Sequence, residues 1–533
     1  MQKFSRFKNS IFSAFLLSLP LSFLISILFL PFGEIIENGY FKAGFYNTIL
    51  NFIFKTFFSV IPITILITWL IYFIFPKIRS KHSKTTNTIL LILSILVLIL
   101  FAFNFYKKIE KNPNLIFIVV DTLRDDHTSF ESPQLQTTES LKSLLLKKGV
   151  YFKNSHSNAP WTLPSISSMI TSKFPSELGI KNLVSKINKK EFTLAELMKE
   201  NGYKTCSIIS HILLKKTYGF SQGYDIYNEK NISDKFGNHF SISSPGVTRD
   251  AIDFIQKNKS KKFFLFLHYF DPHYIYIDHE KKFGYKGSFT SKDISFLRKQ
   301  IRLKNYSAND IDYLKYCYDT EIRFTDTYIG KFIKELKKQN LFDNTLIVFT
   351  SDHGEEFVER GWLGHSTTLN SEQTNVPLII KPPLNYKRDV KPYGNINVSN
   401  IDIIPTISSI LKIKHIPVLS GKNIFSDKKY ENPVFAEVSQ KEFGTDIELI
   451  SVIWKPWKLI KDLTGKKYFL YNIISDPAEQ IDLYKSFPNI ESKLKFKLMK
   501  WEKSIRKTKK ISKRKKPLSE KERKRLKTLG YIN

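Results

Sequence analysis

Cysteine is nearly absent. Cys206 and Cys317 are the only two in 533 residues, and they lie far apart, which excludes a disulfide framework and a cysteine metal cluster. Both read as small buried hydrophobes. Acidic residues are also scarce, with 49 Asp and Glu against 82 Lys and Arg, a formal net charge of +33. Such an excess favours anionic surroundings. No finger, recognition helix or aromatic-interleaved basic motif is present to read bases, so nucleic acid is not an expected partner. The chain has no internal repeat or low-complexity linker of note, and its length suggests two or three domains at roughly 100–200 residues each.

Charge is missing altogether from three apolar stretches, Ile11–Phe32, Thr56–Phe75 and Thr88–Tyr106. Each approaches the ~20 residues that a helix needs to cross a bilayer, so residues 1–110 are expected to form a multi-pass membrane region. Pro20, Pro31 and Pro62 are compatible with this, because membrane helices tolerate proline. Lys3, Arg6 and Lys8 precede the first span, and Lys77, Arg79, Lys81 and Lys84 fill the loop between the second and third. By the retention of basic residues on the cytoplasmic side, both belong inside. Everything after Tyr106 then emerges on the extracytoplasmic side of the cell membrane, whether periplasm or outer face, with the lipid bilayer as a partner. The first apolar run exceeds the roughly 7–15 residues of a secretory signal and lacks a small-x-small cleavage site, so it is expected to stay attached.

Beyond the membrane region the chain alternates strands and helices. Asn114–Val120, Phe263–Leu267 and Thr345–Phe349 are continuous β-branched and apolar runs, the pattern of strands buried on both faces. Each ends in polar residues: Asp121, His268 to His273, and Ser351-Asp352-His353-Gly354. In an open parallel α/β sheet that edge is where ligands bind. Helical periods lie between, as in Glu321–Gln339. The order predicts an α/β catalytic domain over 111–410, with a central, mostly parallel sheet flanked by helices. From about Leu411 shorter segments follow, with strands at Pro433–Ala436 and Lys467–Tyr471 and a helix near Ile490–Ile505, read as a smaller α+β subdomain over 411–505. The basic stretch 506–533 reads as a solvated tail or, more sharply, as a contact for anionic lipid at roughly 1 kcal/mol per basic residue.

Two elements carry chemistry. Asp352 and His353, side by side after one buried strand, together with Asp121 after another, make an N/O cage for Zn²⁺ or another divalent ion such as Mn²⁺, Mg²⁺ or Ca²⁺. In Ala159-Pro160-Trp161-Thr162-Leu163-Pro164-Ser165 a turn feeds a helix, whose free N–H groups and positive dipole end suit an anionic ester. Thr162 there is either a helix cap or a hydroxyl nucleophile activated by the metal.

These segments, with Val119 to Arg124, His268-Tyr269-Phe270-Asp271-Pro272-His273, Gly364-His365, Val376-Pro377, Asp402 to Thr406, Asp476-Pro477 and Leu526 to Tyr531, resemble the bacterial sulfatase-like proteins of the alkaline phosphatase superfamily in order and spacing. The resemblance implies the sandwich fold of that superfamily. It implies that Asp121, Asp352, His353 and Thr162 are metal ligands and that Thr162 is the nucleophile. His273 and His365 match groups that hold the transferred anion or assist the leaving group. His268 and Asp271 are read as substrate-binding, and Glu355 and Glu356 as structural or surface groups.

Two departures bear on the reaction. In sulfatases proper the nucleophile position is a Cys or Ser oxidised to formylglycine, with an Arg in the same motif; here Thr162 and Ile166 stand in those places. The formylglycine hydrate expels sulfate by elimination, an exit closed to a threonine sulfate, whereas a phosphothreonine is resolved by in-line attack at phosphorus. Thr122 stands where many sulfatases have another metal-binding Asp. With His365 in place of Lys, the set looks more like lipid phosphoethanolamine and phosphoglycerol transferases. The expected function is a membrane-anchored, metal-dependent hydrolase or transferase acting on phosphoesters of anionic envelope lipids or glycans through a covalent Thr162 intermediate. The alternatives are a sulfuric ester hydrolase and a non-catalytic envelope scaffold.

Overall fold

A computed structural model describes residues 113–232, 242–282, 300–301, 303–386, 395–426, 432–440, 446–454, 456–506 and 517–528. The spans expected at 11–32, 56–75 and 88–106 lie outside the described residues. Among those described, no helix is long and apolar enough to cross a membrane.

The unbroken apolar run Asn114–Val120 is a strand at the centre of a seven-stranded sheet. Successive side chains on a strand point to opposite faces. Leu115, Phe117 and Val119 therefore enter one hydrophobic core, and Ile116, Ile118 and Val120 another on the far side. Burial on both faces is what makes the run continuous instead of alternating. In spatial order the strands are Val150–Phe152, Leu378–Lys381, Thr345–Ser351, Asn114–Val120, Phe263–Tyr269, Lys204–Ile208 and Ile226–Asn228. The last five are mutually parallel. Leu378–Lys381 is antiparallel to both its neighbours, so the sheet is mixed. The chain leaves Thr345–Ser351 at the carboxyl edge, builds the loops over 352–377 there, and returns alongside without the crossover helix that a parallel partner needs.

One face is covered by helices Ser244–Asn258 and Ala308–Lys338. The second is longer than the period over Glu321–Gln339 suggests, because a capping box starts it at Ser307: Asp310 N–H donates to Ser307 Oγ at 3.3 Å, and Ser307 N–H to Asp310 Oδ2 at 2.8 Å. Leu314, Ile322, Ile329, Ile333 and Leu336 along it join Val247, Ala251 and Ile255 of its neighbour, each Leu, Ile and Val contributing about 1.5–3 kcal/mol on burial. Cys206 and Cys317 sit unpaired in this core, and burial pushes both thiols up to about 12. The other face carries the fully buried helix Thr162–Thr171.

Val434–Gln440, Ile447–Trp454, Trp457–Asp462 and Lys467–Asn472 form a second, antiparallel sheet in that order. Helix Pro488–Arg506 packs on it through Leu494, Leu498, Trp501 and Ile505. A buried ion pair lies within this region, Lys458 Nζ being 2.9 Å from Glu479 Oε1. Glu479 also accepts from Asn370 Nδ2 at 2.7 Å, and Arg360 donates to the Glu479 and Ala478 carbonyls. The described part of the basic tail is not wholly solvated, because helix Glu520–Thr528 sinks Leu526 into the core.

Candidate active site

The site is assembled where the strands end. Asp121 follows the central strand, its N–H bonded to the Tyr269 carbonyl at 2.9 Å. The next residue, Thr122, is held at φ 56°, a left-handed conformation that is an outlier for a β-branched residue and costs roughly 1–2 kcal/mol. The surroundings enforce it: the Thr122 N–H donates to Asp352 Oδ1 at 3.2 Å, and Tyr318 Oη donates to its carbonyl at 2.7 Å. Strain of this kind persists only where neighbouring structure over-determines it, and it concentrates at functional sites.

Asp352 and His353 follow the adjacent strand. Asp352 Oδ1 accepts from the Thr122 and His353 amides, whereas Oδ2 has no hydrogen-bond partner, and neither has either oxygen of Asp121. All three oxygens are buried. Burial, then the nearby Asp352 and Glu355 carboxylates, push Asp121 far above the usual carboxylate range. His353 Nδ1 lies 2.9 Å from the Gly354 carbonyl; a carbonyl only accepts, so the proton is on Nδ1 and the lone pair on Nε2. That nitrogen is 3.7 Å from Asp121 Oδ1, 3.4 Å from Asp352 Oδ2 and 3.3 Å from Thr162 Oγ1.

Thr162 opens its helix as the first helical residue, the N-cap being Trp161 with no side-chain cap bond. Ser165 Oγ, one turn on, donates to the Asp352 carbonyl at 2.6 Å and locks this helix to the Asp352 turn. A hydroxyl, an imidazole lone pair and carboxylate oxygens without hydrogen-bond partners thus converge in a buried space. Buried carboxylate oxygens without hydrogen-bond partners are expensive unless a cation completes them, so Asp121 and Asp352, with Thr162 and His353 beside them, fit a divalent ion. Asp121, Asp352 and His268 offer ligand atoms within 4.8 Å of one another.

The remaining histidines line up beside this centre. The His353 and His365 rings are 4.4 Å apart, and those of His365 and His273 are 5.1 Å apart. His273 Nδ1 donates to the Tyr274 carbonyl at 2.7 Å, and Phe270 stacks on its ring at 4.6 Å. Burial and the neighbouring His365 hold His273 well below the ordinary imidazole range, so it is neutral. Asp271, read from the sequence as a substrate contact, has both oxygens engaged at the start of helix Ser244–Asn258, where they accept from the Ser243 and Ser244 amides; a carboxylate there complements the helix dipole.

Glu355, read from the sequence as a structural or surface group, and His211, not singled out there, both lie against these histidines. Glu355 is wholly buried, and its Oε1 pairs with His365 Nδ1 at 2.9 Å while Tyr276 Oη donates to Oε2 at 2.9 Å. His211, also buried, lies 5.6 Å ring to ring from His273. It follows the strand Lys204–Ile208 as Asp121 and His353 follow theirs, and that shared position was the signal available.

The family model for sulfatases matches residues 113–413. The chain belongs to the sulfatase family. It is accordingly an ester-cleaving enzyme of the sulfatase and alkaline phosphatase type. The Escherichia coli K12 protein known as the uncharacterized sulfatase YidJ is 24% identical over 446 residues, covering 74% of this chain and 88% of the relative. Two solved structures share the fold. BT4656 in complex with its substrate D-glucosamine-2-N,6-O-disulfate has a TM-score of 0.61 at 19% identity, covering 74% of this chain and 99% of that one. The phosphonate monoester hydrolase of Agrobacterium radiobacter has a TM-score of 0.59 at 16% identity, covering 74% and 96%.

Proposed function

We propose that this sulfatase-family enzyme is membrane-anchored and metal-dependent, and that it cleaves or transfers phosphoester groups of envelope lipids or glycans through a covalent intermediate on Thr162. The observation that carries the reading is the Thr162 hydroxyl, at a helix start and 3.3 Å from His353 Nε2, in the place that formylglycine chemistry needs for Cys or Ser. A divalent ion held by Asp121, Thr162, Asp352 and His353 supplies, when bound, Lewis-acid charge that makes the hydroxyl a better nucleophile and offsets charge on the transferred group.

Thr162 Oγ1 enters as the alkoxide, its proton having passed to bulk water, attacks phosphorus in line while the ester oxygen departs, and leaves again as the alkoxide in the second half. His365 protonates that oxygen through Nε2, since Nδ1 is engaged with Glu355. His273, with its Nδ1–H held by the Tyr274 carbonyl, can orient a phosphoryl oxygen only by donating through Nε2, so it takes up a proton as the anionic group binds. In the second half, water or an acceptor hydroxyl attacks the phosphothreonine, returns its proton to His365 and restores Thr162. Asp271 contributes by fixing the strand end that carries His273.

A second reading, sulfate-ester hydrolysis, is favoured by the sulfatase relatives and by the disulfated glucosamine bound to BT4656. Side-by-side assays of an aryl sulfate, a phosphate monoester, a phosphodiester and a phosphonate decide between them, together with intact-mass and peptide analysis of the full-length protein after incubation with envelope lipids. The expected result is a phosphoryl-containing adduct on Thr162 and a loss of turnover on the order of 10⁴–10⁶-fold in Thr162→Ala, as for other essential nucleophiles. Dominant sulfate turnover, or an active Thr162→Ala, would refute the proposal.

A further inference from the structure

His268 is fully buried on the strand Phe263–Tyr269. It stands in register with Val119 of the central strand. In-register residues share a face of the sheet, as do residues two apart on one strand, so His268 and Asp121 lie on the same side. That is the side whose core includes Leu163, Ile166 and Met169 of the Thr162 helix.

The hydrogen bonds around His268 determine its tautomer. Ser210 Oγ lies 2.6 Å from the His268 carbonyl and 3.1 Å from His268 Nδ1. A serine hydroxyl has one proton, and the carbonyl, which only accepts, takes it at the shorter distance. Nδ1–H then donates to Ser210 Oγ, and the Nε2 lone pair faces Asp121 Oδ2 at 3.4 Å. The opposite arrangement, Nε2–H donating to Asp121, is longer than the 2.7–3.2 Å of an ordinary N–H···O bond. Both atoms are buried without a hydrogen-bond partner. Two lone pairs facing each other in a dry space repel unless a cation lies between them, and His353 meets Asp121 and Asp352 in the same way.

We propose that His268 is a ligand of the divalent ion, held in its ligating tautomer by Ser210. This rests on the reading of the centre as a metal site. The ligand set becomes two carboxylates, two imidazoles and the Thr162 hydroxyl. Imidazole suits zinc, copper, iron and nickel, whereas calcium and magnesium favour sets of oxygen alone. The site therefore selects Zn²⁺ or a similar transition ion over Ca²⁺. Ser210 is a positioning residue that acts only through His268.

Metal binding tests this on the full-length protein, stripped with a chelator and reloaded. Pulsed EPR of the Cu²⁺-loaded wild type is expected to show two coupled imidazoles, falling to one in His268→Gln, which keeps a buried polar side chain of similar reach. Zn²⁺ affinity, measured by competition, is expected to fall more than 100-fold in that variant. In Ser210→Ala it should fall ~10–100-fold, the range for groups that orient a ligating histidine. His268→Asp is expected to move the Zn²⁺-to-Ca²⁺ preference toward calcium, with circular dichroism confirming the fold of each variant. A wild type that binds the ion with one imidazole, or a His268→Gln protein with unchanged Zn²⁺ affinity, overturns the assignment while leaving the metal site standing. A wild type that binds Ca²⁺ or Mg²⁺ but neither Cu²⁺ nor Zn²⁺ overturns the His268 assignment alone, and one that binds none of these ions overturns both.

Discussion

Asp121→Asn is expected to stabilise the metal-free protein while abolishing its response to metal. The candidate ligand atoms of Asp121 and Asp352 lie within 4.8 Å of each other, and at an effective dielectric near 20 two unit charges at that separation repel by about 3 kcal/mol. Burial adds to this, and it is the largest cause of the upward displacement of the Asp121 carboxyl. Because Asp121 titrates higher in the native state than the roughly 3.9 of a free carboxylate, the native protein holds more protons than the unfolded chain above that pH. Its stability therefore declines as pH rises from about 4 toward neutrality. Asparagine removes both the charge and this contribution to the slope, so at pH 7 the metal-free variant should exceed metal-free wild type by about 2–3 kcal/mol. Zinc at a hundredfold excess over its Kd should restore about 2.7 kcal/mol to the wild type and almost nothing to the variant. Urea unfolding of both proteins with chelator and with zinc, at pH 5 and pH 7, measures all four terms. A metal-free Asp121→Asn less stable than wild type at pH 7, or stabilised equally by zinc, would refute the electrostatic account of the site.

Two further expectations concern neighbouring residues. Glu355→Gln should lower kcat by a substantial part of the ~10²–10⁴-fold that a positioned acid contributes, with little change in KM; steady-state kinetics with a slow leaving group is the measurement, and an unchanged kcat would remove Glu355 from the machinery. Thr122→Gly should change the unfolding free energy by less than about 1 kcal/mol, because relief of the roughly 1–2 kcal/mol left-handed cost at φ 56° is offset by roughly 0.5–1 kcal/mol of glycine's chain entropy, while turnover falls as the Asp121 and Asp352 turns loosen; a loss of several kcal/mol in urea unfolding would count against the strain.

The sheet and the convergence of Asp121, Asp352 and His353 were legible because the strands that carry them are buried on both faces. Asn114–Val120, Phe263–Leu267 and Thr345–Phe349 announce themselves as unbroken apolar runs, and the polar residues after them mark the carboxyl edge. Lys204–Ile208 does not: Lys204, Thr205 and Ser207 interrupt the run, so the strand went unread and His211 beyond it was not considered. Glu355 follows Gly354 in a segment without periodicity, and nothing local distinguishes a carboxylate aimed at His365 from one in solvent. The role of Asp271 depends on the start of helix Ser244–Asn258, which is distant in sequence. The antiparallel course of Leu378–Lys381 was equally hidden, since a short buried strand reads alike in either direction.

The Lys458–Glu479 pair bears on where this enzyme can be cut. The family model's match ends at residue 413, and a fragment trimmed there would retain every proposed ligand and the proposed nucleophile, Thr162. It would also lose Glu479, to which Asn370 Nδ2 donates from the loop just beyond His365, and Lys458, which neutralises that buried carboxylate. The later strands and helix are thus part of the scaffold that shapes the His365 loop. A shortened protein that binds metal yet turns over poorly would be the expected product of ignoring them.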